Sequence, residues 1–266
     1  MREEKEERLR DRLSRYWRVV ATAFCFAVFG MGGLVVRCVV YPLLMLSVRN
    51  PQRRMALSQD VIHHSFRLFV ALMAAVGVLT YELRGREKLK RRGMLVLANH
   101  PSLIDVVFLI SFVRHANCIV KEKLVRNPFT SGPIRAAGFI TNDGGAQLLD
   151  DCIATLASGN NLVIFPEGTR TPLDGQEVRL QRGAANIAIR GRVDVTPVHI
   201  HSSLPMLPKE IPWWQVPARR PHFTISVGDD IDVSQFCTMA SDALAARHLT
   251  DHLSQSLFME PPRAVA

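Results

Sequence analysis

The sequence Asn-His-Pro-Ser-Leu-Ile-Asp, at residues 99–105, determines how the rest of the chain is interpreted. The short apolar run at 94–98 precedes it and predicts a buried strand, and the mostly apolar run after it predicts a helix that begins near Ser102. His100 therefore lies at a strand-to-helix corner, five residues before Asp105. We expect the first turn of the helix to bring the Asp105 carboxylate within hydrogen-bond reach of the imidazole. Such a carboxylate holds a neutral imidazole in one tautomer, ready to accept a proton. The alternative is a loop histidine beside a capping carboxylate.

Composition limits the classes of function. The 266 residues carry a formal net charge of +9, which favours anionic partners: nucleic acid, a membrane surface or acidic substrates. Nucleic acid is the weaker of these, because aromatic residues make up only 7% of the chain. None of the five cysteines stands in a C-x-x-C pair, so that neither a disulfide framework nor a zinc site is indicated. We expect reduced, mostly buried thiols in a domain that faces the cytoplasm.

The N-terminal third of the chain predicts a membrane anchor. Residues 1–18 are dense in charge, whereas residues 19–36 carry none and reach about 27 Å as a helix, close to the thickness of the hydrocarbon core of a bilayer. Arginines flank this segment on both sides, so the positive-inside rule gives no direction of crossing. The segment therefore either spans the membrane or dips into it and returns near Pro42.

A second apolar run, Leu68 to Tyr81, is too short to span a bilayer as a helix. It predicts either a core helix or a helix that lies in the lipid interface. The basic stretch that begins at Gly85 marks a boundary. We divide the chain into a charged segment (1–18), a membrane-associated helical region (19–84), an α/β domain (85–260) and a flexible tail (261–266).

From Met94 onward, segments typical of strands alternate with segments typical of helices. This alternation predicts an α/β fold, a layered domain with a mostly buried central sheet flanked by helices. The strands are predicted at 94–98, 117–120, 138–141, 162–165, 195–200 and 223–227.

A second motif, Phe165-Pro166-Glu167-Gly168-Thr169-Arg170, follows one of these strands directly. Its glycine allows a tight turn, and its arginine offers a planar set of donors that suits a phosphate or carboxylate. Glu167 either holds the arginine or accepts from a substrate hydroxyl. The alternative is a simple turn with a surface ion pair.

Together the two motifs resemble those of the glycerophospholipid acyltransferase family, in particular its lysophosphatidic acid acyltransferase branch. The resemblance covers about residues 89–227. Two further family blocks match in part, at 121–124 and at 195–198. A membrane-associated helical region ahead of the domain is also what this family leads one to expect.

The resemblance implies that His100 is the general base and that Asp105 orients it. The acceptor is a hydroxyl of a lysophospholipid such as 1-acylglycerol-3-phosphate, and the donor is acyl-CoA or acyl-acyl carrier protein. Neither a metal nor a cofactor is expected, and the active site is expected to face the cytoplasm at the inner membrane. By the same resemblance, the substrate-binding residues are Asn99, Lys121, Glu167, Gly168, Thr169 and Arg170.

One departure from the family pattern leaves the acceptor open. The second block usually ends in an arginine that grips the acceptor phosphate, and Gly144 stands at that position here. Either another cation replaces it, such as Arg126 or Arg135, or the acceptor is a different lipid, for example an ornithine or polyene lipid. A hydrolase is disfavoured because the chain has no G-x-S-x-G motif. An inert peripheral membrane protein is the alternative from another class.

Overall fold

The computed structural model describes residues 2–142, 145, 147–173 and 178–258. Its centre is a seven-stranded sheet in the order β1-β7-β6-β2-β5-β3-β4. β6 and β7 are antiparallel, and every other neighbouring pair is parallel. The predicted α/β class is therefore confirmed. The strands are β1 (Thr80–Arg84), β2 (Leu95–Ala98), β3 (Ala116–Val120), β4 (Ile140–Thr141), β5 (Asn161–Ile164), β6 (Val195–Ser202) and β7 (His222–Val227).

Helices cover both faces of this sheet. The helices are α1 (Arg2–Val35), α2 (Tyr41–Ser47), α3 (Pro51–Ala75), α4 (Asp105–Phe112), α5 (Glu122–Arg126), α6 (Ser131–Ala137), α7 (Gln147–Ala157), α8 (Gly183–Gly191), α9 (Ser234–Cys237) and α10 (Asp242–Phe258). One core cluster joins the sheet to α3 and α4, and a second joins it to α7, α8 and α10. Every residue of β2 and β5 is buried, because both strands lie inside the sheet, and all of their side chains except that of Asn161 are apolar.

The parallel pairing of β2 with β5 positions the two sequence motifs. Leu95 pairs with Leu162, and Leu97 pairs with Ile164. Because parallel strands end at the same edge of a sheet, the residues that follow Ala98 and those that follow Ile164 emerge side by side. The motif at 99–105 thus lies next to the motif at 165–170.

The N-terminal helices form a hairpin. α1 continues through a π-helical turn, Val36–Val40, into α2, and the chain reverses at residues 48–50 before α3 begins. Pro42 closely follows the π-helical turn, and the helix continues past it to Ser47, so the chain does not return at this proline as expected but at residues 48–50. Of the described helices, one segment, Arg12–Ser47, is long and apolar enough to cross a membrane.

The second apolar run is divided between two elements rather than forming one helix. α3 ends at Ala75, Gly77 has a φ of +82° in the following turn, and β1 begins at Thr80 and pairs with β7. Phe69 and Met73 are buried in the core, as expected for a core helix. The sheet thus includes residues ahead of the predicted boundary at 85, while the division into domains stays a prediction.

A further difference concerns the start of a helix. The helix predicted from Ser102 begins at Asp105, because residues 101–104 form a turn instead. Gly144 and the tail at 261–266 lie outside the described residues.

Candidate active site

The imidazole of His100 and the carboxylate of Asp105 are hydrogen-bonded. His100 Nδ1 lies 2.9 Å from Asp105 Oδ2, which also accepts a 2.6 Å hydrogen bond from the backbone N–H of Ser102. The turn at residues 101–104 lets the chain fold back on itself, and it places the carboxylate at the first residue of α4. There the positive end of the helix dipole favours an anion. The pattern at 99–105 therefore produces the predicted contact.

Asp105 is fully buried, and this burial raises the pKa of its carboxyl, against the hydrogen bond from His100, which lowers it. The imidazole itself is partly accessible, with 15% of its side chain exposed. Its Nε2 has no hydrogen-bond partner among the described residues. One face of the ring stacks on Phe165, with the ring centroids 4.2 Å apart. The imidazole is thus fixed at Nδ1 and open at Nε2.

Glu167 joins the two motifs. Its Oε1 accepts hydrogen bonds from the backbone N–H of His100, at 2.7 Å, and from the hydroxyl of Thr171, at 3.0 Å. The backbone N–H of Thr171 donates in turn to the carbonyl of His100 at 2.8 Å. Burial raises the pKa of Glu167, which is 6% exposed. The carboxylate therefore holds the backbone on which the imidazole stands.

Gly168 shapes the turn that presents Glu167. Its φ is +68°, a conformation that strains a residue with a Cβ, and its N–H donates to the carbonyl of Phe165 at 3.0 Å. A Cβ at this position would also overlap the side chain of Gln181. The predicted tight turn is present.

The other predicted substrate-binding residues occupy different surroundings. Asn99 is buried and exchanges two hydrogen bonds with the backbone of Ile200 in β6, at 2.8 and 2.6 Å. Arg170 donates from Nη1 to the carbonyls of Leu207 and Pro208, both at 2.8 Å. Thr169 is half-buried beside Arg170. Contact of these residues with a substrate stays a prediction.

Lys121 is exposed at the end of β3, which is parallel to β5, so it lies at the same edge of the sheet as His100. The described residues contain no group of three His, Cys, Asp or Glu side chains that could hold a metal ion. That the reaction needs none stays a prediction.

An apolar cavity of about 490 Å³ lies between the N-terminal helices and the domain. Val106 and Val107, the two residues after Asp105, are part of its wall. Other parts come from α1 and α3, for example Phe29 and Phe69, and from the segment around Phe129. The sequence does not reveal this cavity, because its wall is assembled from segments that lie far apart along the chain.

The α/β domain, with a His-Asp pair after one strand and a glutamate turn after its neighbour, contains the part of the chain that comparison with known proteins matches. The family model described as Acyltransferase matches residues 80–201. It is 28% identical over 147 residues to a 1-acyl-sn-glycerol-3-phosphate acyltransferase of Pseudomonas aeruginosa, covering 52% of this chain and 56% of that one. The corresponding enzyme of Helicobacter pylori is 31% identical over 116 residues, 41% of this chain and 49% of that one.

The alignments span about half the length of these curated relatives. The crystal structure of the 1-acyl-sn-glycerophosphate (LPA) acyltransferase, PlsC, of Thermotoga maritima matches with a TM-score of 0.69. It covers 92% of this chain and 95% of that one at 20% sequence identity, so it shows that the two proteins share a fold.

Proposed function

We propose that this protein transfers a fatty acyl group from a thioester donor to a hydroxyl of a 1-acylglycerol-3-phosphate-like acceptor. The observation that carries the proposal is the His100–Asp105 pair, with Nδ1 bonded to the carboxylate and Nε2 open. The names of the relatives from P. aeruginosa and H. pylori support this substrate class.

His100 acts as the general base. Its Nδ1–H donates to Asp105, so the lone pair on Nε2 accepts the proton of the acceptor hydroxyl as the oxygen attacks the thioester carbonyl. The tetrahedral intermediate then collapses, the C–S bond breaks, and the proton on Nε2 passes to the leaving thiolate. General-base catalysis of this kind contributes about 10²- to 10⁴-fold to the rate. Asp105 keeps the tautomer and stabilises the imidazolium that forms in the step.

Glu167 and Arg170 support the base and the acceptor. Glu167 fixes the backbone of His100, so it acts as a positioning residue. Arg170 secures the turn at Leu207 and Pro208 through Nη1, while its Nε and Nη2 have no partner among the described residues. These two nitrogens are suited to a bidentate contact with an acceptor phosphate.

The apolar cavity holds the acyl chain in this proposal. Its wall includes Val106, which is adjacent to Asp105. The acyl chain can therefore extend into the cavity while the thioester carbonyl lies beside His100. Each methylene buried there contributes about 0.8 kcal/mol of binding free energy. The thioester of the donor, acyl-CoA or acyl-acyl carrier protein, then lies at the end of the cavity that Val106 forms.

The first test replaces His100 with alanine in the full-length protein. We expect acyl transfer to 1-acylglycerol-3-phosphate to fall by at least about 10²-fold, because no other described group faces the acceptor as a base. The measurement is mass spectrometry of the lipid product formed from labelled acyl-CoA or acyl-acyl carrier protein. His248→Ala, on the exposed surface of α10, is the matched control and is expected to keep wild-type activity.

Transfer that is unchanged in His100→Ala contradicts the mechanism. If wild-type protein transfers acyl groups only to an ornithine or polyene lipid, the proposed acceptor is wrong. If it transfers them to no acceptor at all, the proposal that the protein is an acyltransferase is wrong.

A further inference from the structure

A second cavity, of about 370 Å³, lies at the edge of the sheet opposite His100. Its walls are the 3₁₀ turn Arg86–Lys90 with the residues that lead into β2, the end of α4 with the residues that lead into β3, and one face of α3. β2 and β3 both run parallel to β5, so the segments before their first residues share an edge. The four residues of β2, about 13 Å of strand, separate this cavity from the edge that carries His100.

The cavity is lined by positive charge. His63 and His115 are also part of the wall, and burial lowers the pKa of both imidazoles. The Nδ1–H of His63 donates to the carbonyl of Ile110 at 2.8 Å, and Nε2 of His115 accepts from Arg92 Nη2 at 3.3 Å. None of the lining residues that the structure describes is an aspartate or glutamate. The cationic lining residues are Arg67, Arg86, Lys90, Arg91, Arg92 and Arg114.

Two of these six cations have acidic partners and four do not. Arg91 pairs with Asp230, and Arg114 pairs with Asp60 at 2.9 Å. Within the described part of the chain, the other four cations make no ion pair. Like charges gathered around one concave site repel one another and raise the local potential, which attracts an anion. An anion among them offsets this repulsion.

A buried asparagine holds the walls in place. Asn161, 1% exposed, accepts from the N–H of Met94 at 2.9 Å through Oδ1. Its Nδ2 donates to the carbonyl of Arg91 at 3.2 Å and to that of Arg114 at 2.8 Å. Its backbone N–H donates to the carbonyl of His115 at 3.0 Å. The two loops that carry the arginines are thus cross-linked before any ligand binds.

We propose that this cavity binds a phosphate-bearing anion, either a soluble polyphosphate or the headgroup of an anionic phospholipid. Guanidinium groups match phosphate oxygens in bidentate geometry, and several of them converge here. Leu89 and Phe112 complete the wall with apolar surface, which lowers the local dielectric and strengthens the attraction. The cavity shares no residue with the site at His100, so the proposal does not depend on the proposed acyl transfer.

The test compares two double variants of the full-length protein that lose the same charge. Arg86→Gln with Arg92→Gln removes two unpaired cations of the cavity, and it leaves Arg91 and Arg114 with their acidic partners. The control removes Arg190 and Arg247, which are exposed on α8 and α10. Inorganic pyrophosphate is titrated by calorimetry at physiological ionic strength. Flotation with phosphatidylcholine vesicles, with and without phosphatidylglycerol, tests the headgroup.

We expect the cavity variant to bind pyrophosphate, or vesicles with phosphatidylglycerol, at least about tenfold more weakly than wild type, a loss of about 1.4 kcal/mol. The control variant is expected to stay within about twofold. Loss of pyrophosphate binding identifies a soluble ligand, and loss of vesicle binding alone identifies a headgroup. Equal losses in both variants, unchanged binding in the cavity variant, or no binding by wild type overturn the proposal. If the double variant does not fold, Arg67→Gln, on the exposed side of α3, provides the same measurement.

Discussion

The two oxygens of the Glu167 carboxylate have different surroundings. Oε1 accepts from His100 and Thr171, whereas Oε2 is buried with no hydrogen-bond partner among the described residues. Burial raises the pKa of this carboxyl in the folded state. A raised carboxyl pKa contributes stability that is complete below the unfolded-state value, about 4.3, and is lost as the pH rises through the folded-state value. At pH 8 the ionised carboxylate therefore costs folding free energy.

We expect Glu167→Gln to unfold at a higher temperature than wild type at pH 8, because glutamine keeps the acceptor and removes the buried charge. A gain of about 1 kcal/mol corresponds to about 2–4 °C for a domain of this size. The gain is expected to shrink towards pH 5. Thermal unfolding followed by circular dichroism at both pH values measures it, with the exposed Glu210→Gln as the control. A lower unfolding temperature of Glu167→Gln at pH 8 contradicts the argument that the buried charge of Glu167 destabilises the fold.

Sequence reasoning at the residue scale works where the contact is local. The hydrogen bond between His100 and Asp105 follows from a five-residue offset across a strand-to-helix corner. The bond from His100 to Glu167 crosses 67 residues and depends on the parallel pairing of β2 with β5, which no local pattern reveals. The bonds from Arg170 to loop carbonyls are hidden for the same reason.

At the scale of elements, α1 approaches the domain through a glycine. A Cβ at Gly33 would overlap the carbonyl oxygen of Phe129, whereas a Cβ at Gly32, one residue earlier, meets nothing within 4 Å. Gly33 thus lets the helix lie directly against the segment that leads into α6. Both glycines also line the apolar cavity.

Gly33→Ala is expected to destabilise the protein by about 1–3 kcal/mol, because the helix or the backbone at Phe129 must shift. Gly32→Ala is the matched control, and it is expected to be neutral or stabilising by up to about 1 kcal/mol through higher helix propensity. Thermal unfolding of both variants tests the pair. Equal effects of the two substitutions contradict the close packing at Gly33.

The pattern of apolar residues along the chain does not by itself define where helices end. An apolar run predicts burial but does not say where a helix ends, so the run from Leu68 to Tyr81 predicts a single helix. The turn at Gly77 and the pairing of β1 with β7 decide the division, and that pairing joins residues about 140 positions apart. Pro42 is a similar case, because the helix accommodates this proline with the π-helical turn at Val36–Val40 and continues to Ser47.

At the scale of the molecule, the N-terminal helix is docked along the domain. Arg18 donates to the carbonyl of Pro217 at 3.0 Å, and Arg37 donates to that of Pro128 at 3.2 Å. These contacts lie nineteen residues apart, about 28 Å of helix. Between them, Cys25 is buried in the core, while Phe24 and Met31 face outward with 52% and 62% of their surface exposed.

This arrangement limits which side of the predicted membrane anchor can contact lipid. The predicted apolar segment is present, but one side of the helix is occupied by the domain, which composition alone cannot show. We propose that the outward apolar side lies in the lipid interface with the helix parallel to the membrane surface. That the active site faces the cytoplasm at the inner membrane stays a prediction from the family resemblance.

We expect Phe24→Asp, and separately Met31→Asp, to shift the full-length protein from the membrane fraction to the soluble fraction, because a charge on this side opposes insertion into lipid. The fold should persist, since neither side chain is buried. The control is Leu244→Asp on α10, where an apolar residue away from α1 is 40% exposed, and this substitution should leave the distribution unchanged.

Removing residues 1–50 is a poorer test, because it also removes Cys25 from the core. Sedimentation of membranes followed by immunodetection measures the distribution. A protein that stays membrane-bound in both helix variants has its lipid contact on another surface, and the tryptophans at 213 and 214, exposed in the loop before β7, are then the next positions to substitute.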